Sequence, residues 1–164
     1  MKFVDILKSW LPVVLWMMLM FAASTDLLSS EHTSRYLVPF LRWLKPDISA
    51  ATIAQIHFLI RKSAHVTEYA ILTLLLWRAF RFHRRDARNV WPQGAIALAV
   101  AIIFAATDEY HQAYVPTRGS SASDVMIDSC GAAFGLVGRW AFGRRGASPE
   151  REAHAKSKIE RPAE

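Results

Sequence analysis

Cysteine is almost missing from this chain: Cys130 stands alone among 164 residues. One thiol excludes an intrachain disulfide and a cysteine-based metal cluster, and its apolar setting, DSCGAAFG, reads as that of a buried spectator. The short signatures of common hydrolases are absent too. No HExxH pair would present two histidines on one helical face to zinc, and no serine has the glycine-flanked setting of a nucleophile elbow. Nucleic-acid motifs are also lacking. The net charge is +6 and the pI about 9.8, but the basic residues lie beside apolar runs, as in HRR and GRRG, and form no stripe along a polar helix. That pattern reads as membrane flanking, with no nucleic-acid partner. A last absence is a clean apolar twenty-mer, although a spanning helix needs about 17 to 25 largely apolar residues.

What the chain does have is segregation. It is 52% hydrophobic with a mean hydropathy of +0.15, values that decide little by themselves. The apolar residues, however, collect in four blocks, and the charges are swept between them. The first block is WLPVVLWMMLMFAAS, residues 10–24, with Pro12 near its start, where a helix tolerates it. ASTDLLS is a poor cleavage site and further blocks follow, so this segment is expected to be retained as a span. The second is SAHVTEYAILTLLLWRAF, residues 63–80; the third runs from Gly94 to about Tyr110; the fourth is DVMIDSCGAAFGLVGRWAFG, residues 124–143. None of the blocks repeats a polar face, as a surface helix of a soluble bundle must. The expected fold is all-α: an integral membrane protein with four transmembrane helices.

Lysine and arginine set the direction. Of 20 basic residues, 14 fall at the amino end, in the link after span two and at the carboxyl end, and 6 fall in the other two links. Both termini are therefore expected in the cytoplasm. The long first link holds RYLVPFLRWLK, which alternates basic residues with Leu, Phe and Trp like an interfacial helix in the first outer loop. ATIAQIHFLI reads as another such segment or as an early start of span two, its Arg61 and Lys62 reaching for headgroups. The spans make one domain, residues 1–143. The charged tail, residues 144–164, has few aromatics and is expected to be disordered in the cytoplasm.

In that orientation the awkward polar residues gather at one end. Span one ends outward at Ser24. Span two opens with Lys62, His65, Glu68 and Tyr69; span three closes with Asp108, Glu109, His111 and Gln112; span four opens with Asp124 and Asp128. Lys62, His65 and Tyr69 are spaced i, i+3, i+7, and Asp108, His111 and Gln112 i, i+3, i+4, so each set forms one face. Ionisable groups in membrane-buried helices turn inward and pair, because lipid exposure is expensive. The faces are expected to converge in an outward-facing polar site. His65, Glu109, His111 and Arg118 are its candidate catalytic residues, with Ser24, Lys62, Glu68, Tyr69, Asp108, Gln112, Asp124 and Asp128 around them.

Each residue also has a structural reading: Lys62 as an interfacial anchor, the histidines as satisfied packing groups, Asp124 as a helix cap. Gly131, Gly135 and Gly138 suit close packing between helices. The histidines and carboxylates fit a divalent metal, acid–base chemistry on an ester or phosphoanhydride, or the grip of a polar headgroup without chemistry. The residues do not choose between these, and no cofactor is assigned. Arg118 is the candidate donor to an anionic headgroup or phosphate.

The pieces KSAHVTEY, DEYHQAYVPTR and DVMIDSCG in this order, with Ser24 before them, resemble the VanZ-like family of small bacterial membrane proteins over about residues 10–143. Pro116 and the glycines at 131 and 135 belong to the same pattern, whereas Asp128 stands where the family more usually has asparagine. The resemblance implies a multi-pass protein of the bacterial cytoplasmic (inner) membrane, part of the cell envelope, whose namesake is associated with resistance to the glycopeptide teicoplanin. It implies no settled mechanism, because a fold carries over more safely than a function. Three roles stay open: a membrane-embedded enzyme acting on an envelope lipid or cell-wall precursor, a non-catalytic binder of lipid, precursor or glycopeptide, and a structural or accessory protein. Membrane lipid or a lipid-linked precursor is the expected partner, and no oligomeric state follows from the sequence.

Overall fold

In a computed structural model, residues 3–24, 30–83, 91–114 and 121–145 are described. They form five α-helices and, among the described residues, no strand: α1 (Phe3–Ser24), α2 (Ser30–Leu44), α3 (Ala50–His83), α4 (Trp91–Gln112) and α5 (Ala122–Arg145). The all-α expectation holds. Each of the four helices announced by an apolar block runs past it. Helix α1 starts at Phe3 and not at Trp10, which places Pro12 inside the helix and not at its tolerant first turn. Proline has no N–H, so the carbonyl of Lys8 loses its intrahelical partner there. The ATIAQIHFLI segment is the early part of α3, a continuous helix of 34 residues. Helix α5 continues to Arg145, and the tail beyond it lies outside the described residues.

The buried stripes explain the assembly. On α4, Gly94, Ala97, Ala101 and Ala105 are buried, and the same stripe continues through Asp108 to Gln112. Small residues bring neighbouring backbones close, and that stripe then delivers a carboxylate and an amide to the interior. On α3 the stripe is His65, Tyr69, Leu72, Leu76 and Ala79; on α5 it is Asp124, Asp128, Gly131, Ala132 and Gly135. Helix α3 shares its largest interface with α5, and both run in the same direction. A Cβ added at Gly131 would lie 2.6 Å from the carbonyl oxygen of Val66, and one at Gly135 would lie 2.6 Å from that of Ala70. The two backbones touch there, which only glycine permits. Gly138 differs from expectation: a Cβ there would meet nothing within 4 Å, so this glycine packs against no helix.

Helix α1 lies antiparallel on α3. The Trp16 indole donates to the backbone carbonyl of Glu68 (3.1 Å), and the Arg78 guanidinium donates to that of Ser9 (3.2 Å). Trp10 meets Phe80 edge to face with ring centroids 5.3 Å apart. Thus α1 and α4 run one way and α3 and α5 the other. Helix α2 lies outside this group and touches only α3 appreciably. It exposes Tyr36, Phe40, Trp43 and Leu44.

Two helices, α1 and α4, are long and apolar enough to cross a membrane. Only 17% and 33% of their most apolar windows are buried, whereas a soluble core helix is mostly buried. Leu15, Met18, Leu19, Ile103, Phe134 and Val137 all face outward, far more apolar surface than a soluble monomer displays. Helices α3 and α5 are long enough but broken by charges, so among the described residues length and composition alone identify two spans, not four. Cys130 is exposed on the outer surface of α5, not buried as its neighbours in sequence suggested.

Candidate functional site

The site forms where the last turns of α1 and α4 meet the start of α5 and the first half of α3. Its centre is a pair of side chains. His65 Nδ1 lies 3.1 Å from Asp128 Oδ1, and Asp128 is completely buried. A carboxylate only accepts, so Nδ1 carries a proton, and in the neutral imidazole Nε2 is the basic nitrogen. One turn towards the helix ends, Asp124 receives two cations: the Lys62 ammonium on Oδ1, and Arg61 Nη2 on Oδ2 at 3.4 Å. Ser121, not Asp124, caps α5, because its Oγ accepts from the Ser123 N–H (3.2 Å).

From α4, Gln112 Nε2 donates to Asp108 Oδ2 (3.0 Å), which fixes that carboxylate on the buried stripe. Ser24, the final residue of α1, is buried beside Asp108. The Tyr69 hydroxyl is fully buried within electrostatic reach of the carboxylates of Asp108 and Asp128. Among the described residues, Tyr69 OH, Asp108 Oδ1, Gln112 Oε1 and Asp128 Oδ2 have no hydrogen-bond partner. Buried polar atoms usually have one, since leaving them unpaired costs about 1–3 kcal/mol each. These groups come from three helices and gather at one end of the molecule.

Beside them lies a cavity of about 380 Å³. Met20, Ala23, Phe58, Ile60 and Ala64 supply its apolar wall; Ser24, Arg61, His65, Glu68, Asp108 and Gln112 supply its polar wall; Thr33 of α2 and His57 border it as well. Its volume lies within the usual range for a small-molecule site. Ser34 Oγ on α2 is 3.3 Å from His57 Nε2, which ties α2 to the early part of α3.

The expected constellation is only partly assembled. His65, Glu68, Asp108, Gln112 and Ser24 line the cavity together. Lys62, Asp124 and Asp128 stand directly behind that wall, and Tyr69 lies beneath it. Two expected catalytic residues stand elsewhere. Glu109 Oε2 accepts the Ser121 N–H (3.0 Å), so Glu109 pins the start of α5 to the end of α4. His111 is not on the cavity wall; its ring stacks at a tilt on Phe21, with centroids 4.5 Å apart. In a helix, Asp108 and Gln112 are four apart and share the inward face, and His111 is displaced from Asp108 by about a sixth of a turn towards α1. Arg118 and Pro116 lie outside the described residues.

Among the described residues, no three His, Cys, Asp or Glu side chains converge to hold a metal, so the divalent-metal alternative finds no ligand set there. Sequence reasoning missed His57 and the place of Arg61 in the cavity wall. Both lie on the stripe of His65, at i−8 and i−4, and the signal becomes readable once α3 is known to begin at Ala50.

The sequence model of the VanZ/LLP1 family matches residues 9–142, which includes α2, α3 and α4 whole and most of α1 and α5. No curated protein matches the chain, and no solved structure does. With the outward-facing apolar helices, the family match points to a membrane protein.

Proposed function

For this chain, which belongs to the VanZ/LLP1 family, we propose a multi-pass protein of the bacterial cytoplasmic membrane that crosses it four times with both termini inside. In this reading the cavity is a membrane-embedded catalytic site for the polar end of an envelope lipid or lipid-linked cell-wall precursor. The alternating directions of α1, α3, α4 and α5 support four crossings. So do the aromatic and basic groups at the inner end: Trp91 with Trp140 at 6.3 Å, and Trp77 beneath Arg139 at 4.9 Å. Helix α3 is about 50 Å long at roughly 1.5 Å per residue, against a hydrocarbon core of about 30 Å. Its first turns therefore stand at the outer interface, and the cavity stands with them.

The observation that carries the catalytic reading is the His65–Asp128 pair on the wall of a half-apolar cavity. Asp128 fixes the imidazole and leaves Nε2 to take a proton from water or a substrate hydroxyl, then return it to a leaving group. The apolar wall suits the first carbons of a lipid, and the polar wall suits its headgroup. Non-catalytic binding has one observation in its favour: among the described residues, no serine or cysteine is hydrogen-bonded to His65 as an activated nucleophile.

Purified wild-type protein and His65→Gln, each reconstituted with bacterial inner-membrane lipid extract, distinguish the two. Mass spectrometry should show one headgroup species consumed over time by wild type and not by His65→Gln, while both proteins carry the same co-purifying lipid. If both carry the lipid and neither consumes it, the protein is a binder and the catalytic reading fails.

A further inference from the structure

We infer that the outer part of this cavity is a phosphate subsite, formed by Arg61 with His57, and that the natural ligand is a phosphate-bearing membrane lipid. The inference rests on the cavity being the functional site, and it names the ligand class. By sequence, Arg118 is the candidate anion contact and Arg61 only a headgroup anchor.

The charge arrangement is the first argument. Asp124 accepts from both Lys62 and Arg61, so two cations share one carboxylate. The next carboxylate along α5, Asp128, is turned to His65. Among the described residues, neither cation therefore has a carboxylate of its own at contact distance, which leaves one positive charge at this end of the cavity for an anion to balance. The second argument is geometric. Among the described residues, Arg61 pairs with Asp124 only through Nη2, and its side chain also lines the cavity. The planar guanidinium can thus keep its carboxylate on one edge and offer another to an oxyanion. His57 lies one turn before Arg61 on the cavity side and holds Ser34 of α2 through Nε2. The third argument is placement. Phe58 and Ile60 are exposed beside this cluster, so an acyl chain has an apolar path next to the phosphate. Glu68 lies two turns beyond Arg61, and Asp108 comes from α4, so both carboxylates sit deeper, where they would repel a second anion. They suit the hydroxyl or amine of a headgroup, and the phosphate belongs at the Arg61 end.

The test uses the full chain in detergent micelles, with intrinsic tryptophan fluorescence reporting binding. Short-chain phosphatidylglycerol is the probe, diacylglycerol of the same chain length is the neutral control, and inorganic phosphate is the competitor. Wild type should bind phosphatidylglycerol at least about tenfold more tightly than diacylglycerol, and Arg61→Gln should lose about that factor, the usual effect of a charge-assisted contact. Because Arg61 also braces Asp124, two further variants guard against a folding artefact. His57→Gln, which leaves the Asp124 contacts in place, should weaken binding severalfold, and Arg61→Lys, which keeps the charge but not the second edge, should recover only part of the loss. No competition by millimolar inorganic phosphate identifies the lipid as the source; full competition would instead make the free ion the ligand and overturn the lipid assignment. Equal binding of the neutral lipid, or wild-type affinity in Arg61→Gln and His57→Gln, overturns the subsite. If His65-dependent turnover persists in that case, the catalytic reading stands without it.

Discussion

At the scale of single residues, the sharpest dependence is between His65 and Asp128. Asp128 is 0% exposed, and its Oδ1 is the acceptor that orients the imidazole. What the fold needs from position 128 is an acceptor, which an asparagine side-chain oxygen also supplies. Asp128→Asn should therefore unfold within about 1 kcal/mol of wild type, whereas Asp128→Leu leaves a buried Nδ1–H unpaired and should cost about 1–3 kcal/mol. Thermal unfolding in detergent checks both. Equal loss in the two variants would show that the negative charge, not the hydrogen bond, holds His65. His111 teaches a complementary lesson. It has the chemistry of a catalytic residue and the right depth, but its ring packs on Phe21.

At the scale of elements, the contact of α3 with α5 decides where the site's walls stand. Gly131 and Gly135 let the backbones touch, and the same register brings Asp124 opposite Lys62 and Asp128 opposite His65. Adding one methyl group at Gly135 places it 2.6 Å from a backbone carbonyl that cannot rotate away, so the helices must separate. Gly131→Ala and Gly135→Ala should each destabilise by about 1–3 kcal/mol, the usual result of overpacking. Gly138→Ala meets open space and should be neutral or slightly stabilising, because alanine is the better helix former. Unfolding curves of the three variants, measured side by side, test whether the α3–α5 contact has this register. A loss at Gly138 equal to that at Gly135 would contradict it. Separation of α3 from α5 should also loosen the His65–Asp128 pair, so both damaging variants should lose function before they lose fold.

At the scale of the molecule, polarity is divided end from end. Arg78, Arg81 and Arg139 lie at the end holding Trp10 and Trp91, and the carboxylates and histidines of the site lie at the other. In the proposed four-span topology, the 14-to-6 division of basic residues turns the first end towards the cytoplasm. In a Cys130→Ser background, a cysteine at Arg81 should react with an impermeant maleimide only after the membrane is opened. One at Ser123 should react in intact spheroplasts. Reaction of both from the same side would remove the four-span topology, and with it the placing of the cavity at the outer interface.

Helix content and the gathering of polar groups at one end could be read from the chain, because both follow from local order. Apolar blocks of roughly 15 to 20 residues favour helices in a membrane, and a helix carries Asp108 and Gln112, or Lys62, His65 and Tyr69, to one side whatever surrounds it. Gly131 and Gly135 were legible for the same reason, as small residues four apart. Rotation about the helix axes was not. It depends on which neighbour each stripe meets, so only packing could turn Glu109 to the Ser121 N–H and His111 to Phe21, and leave Gly138 facing open space. The cavity was equally hidden. It exists because α3 begins at Ala50 and not at Ser63, where the apolar block opens, and so carries His57 and Arg61 beside the end of α1.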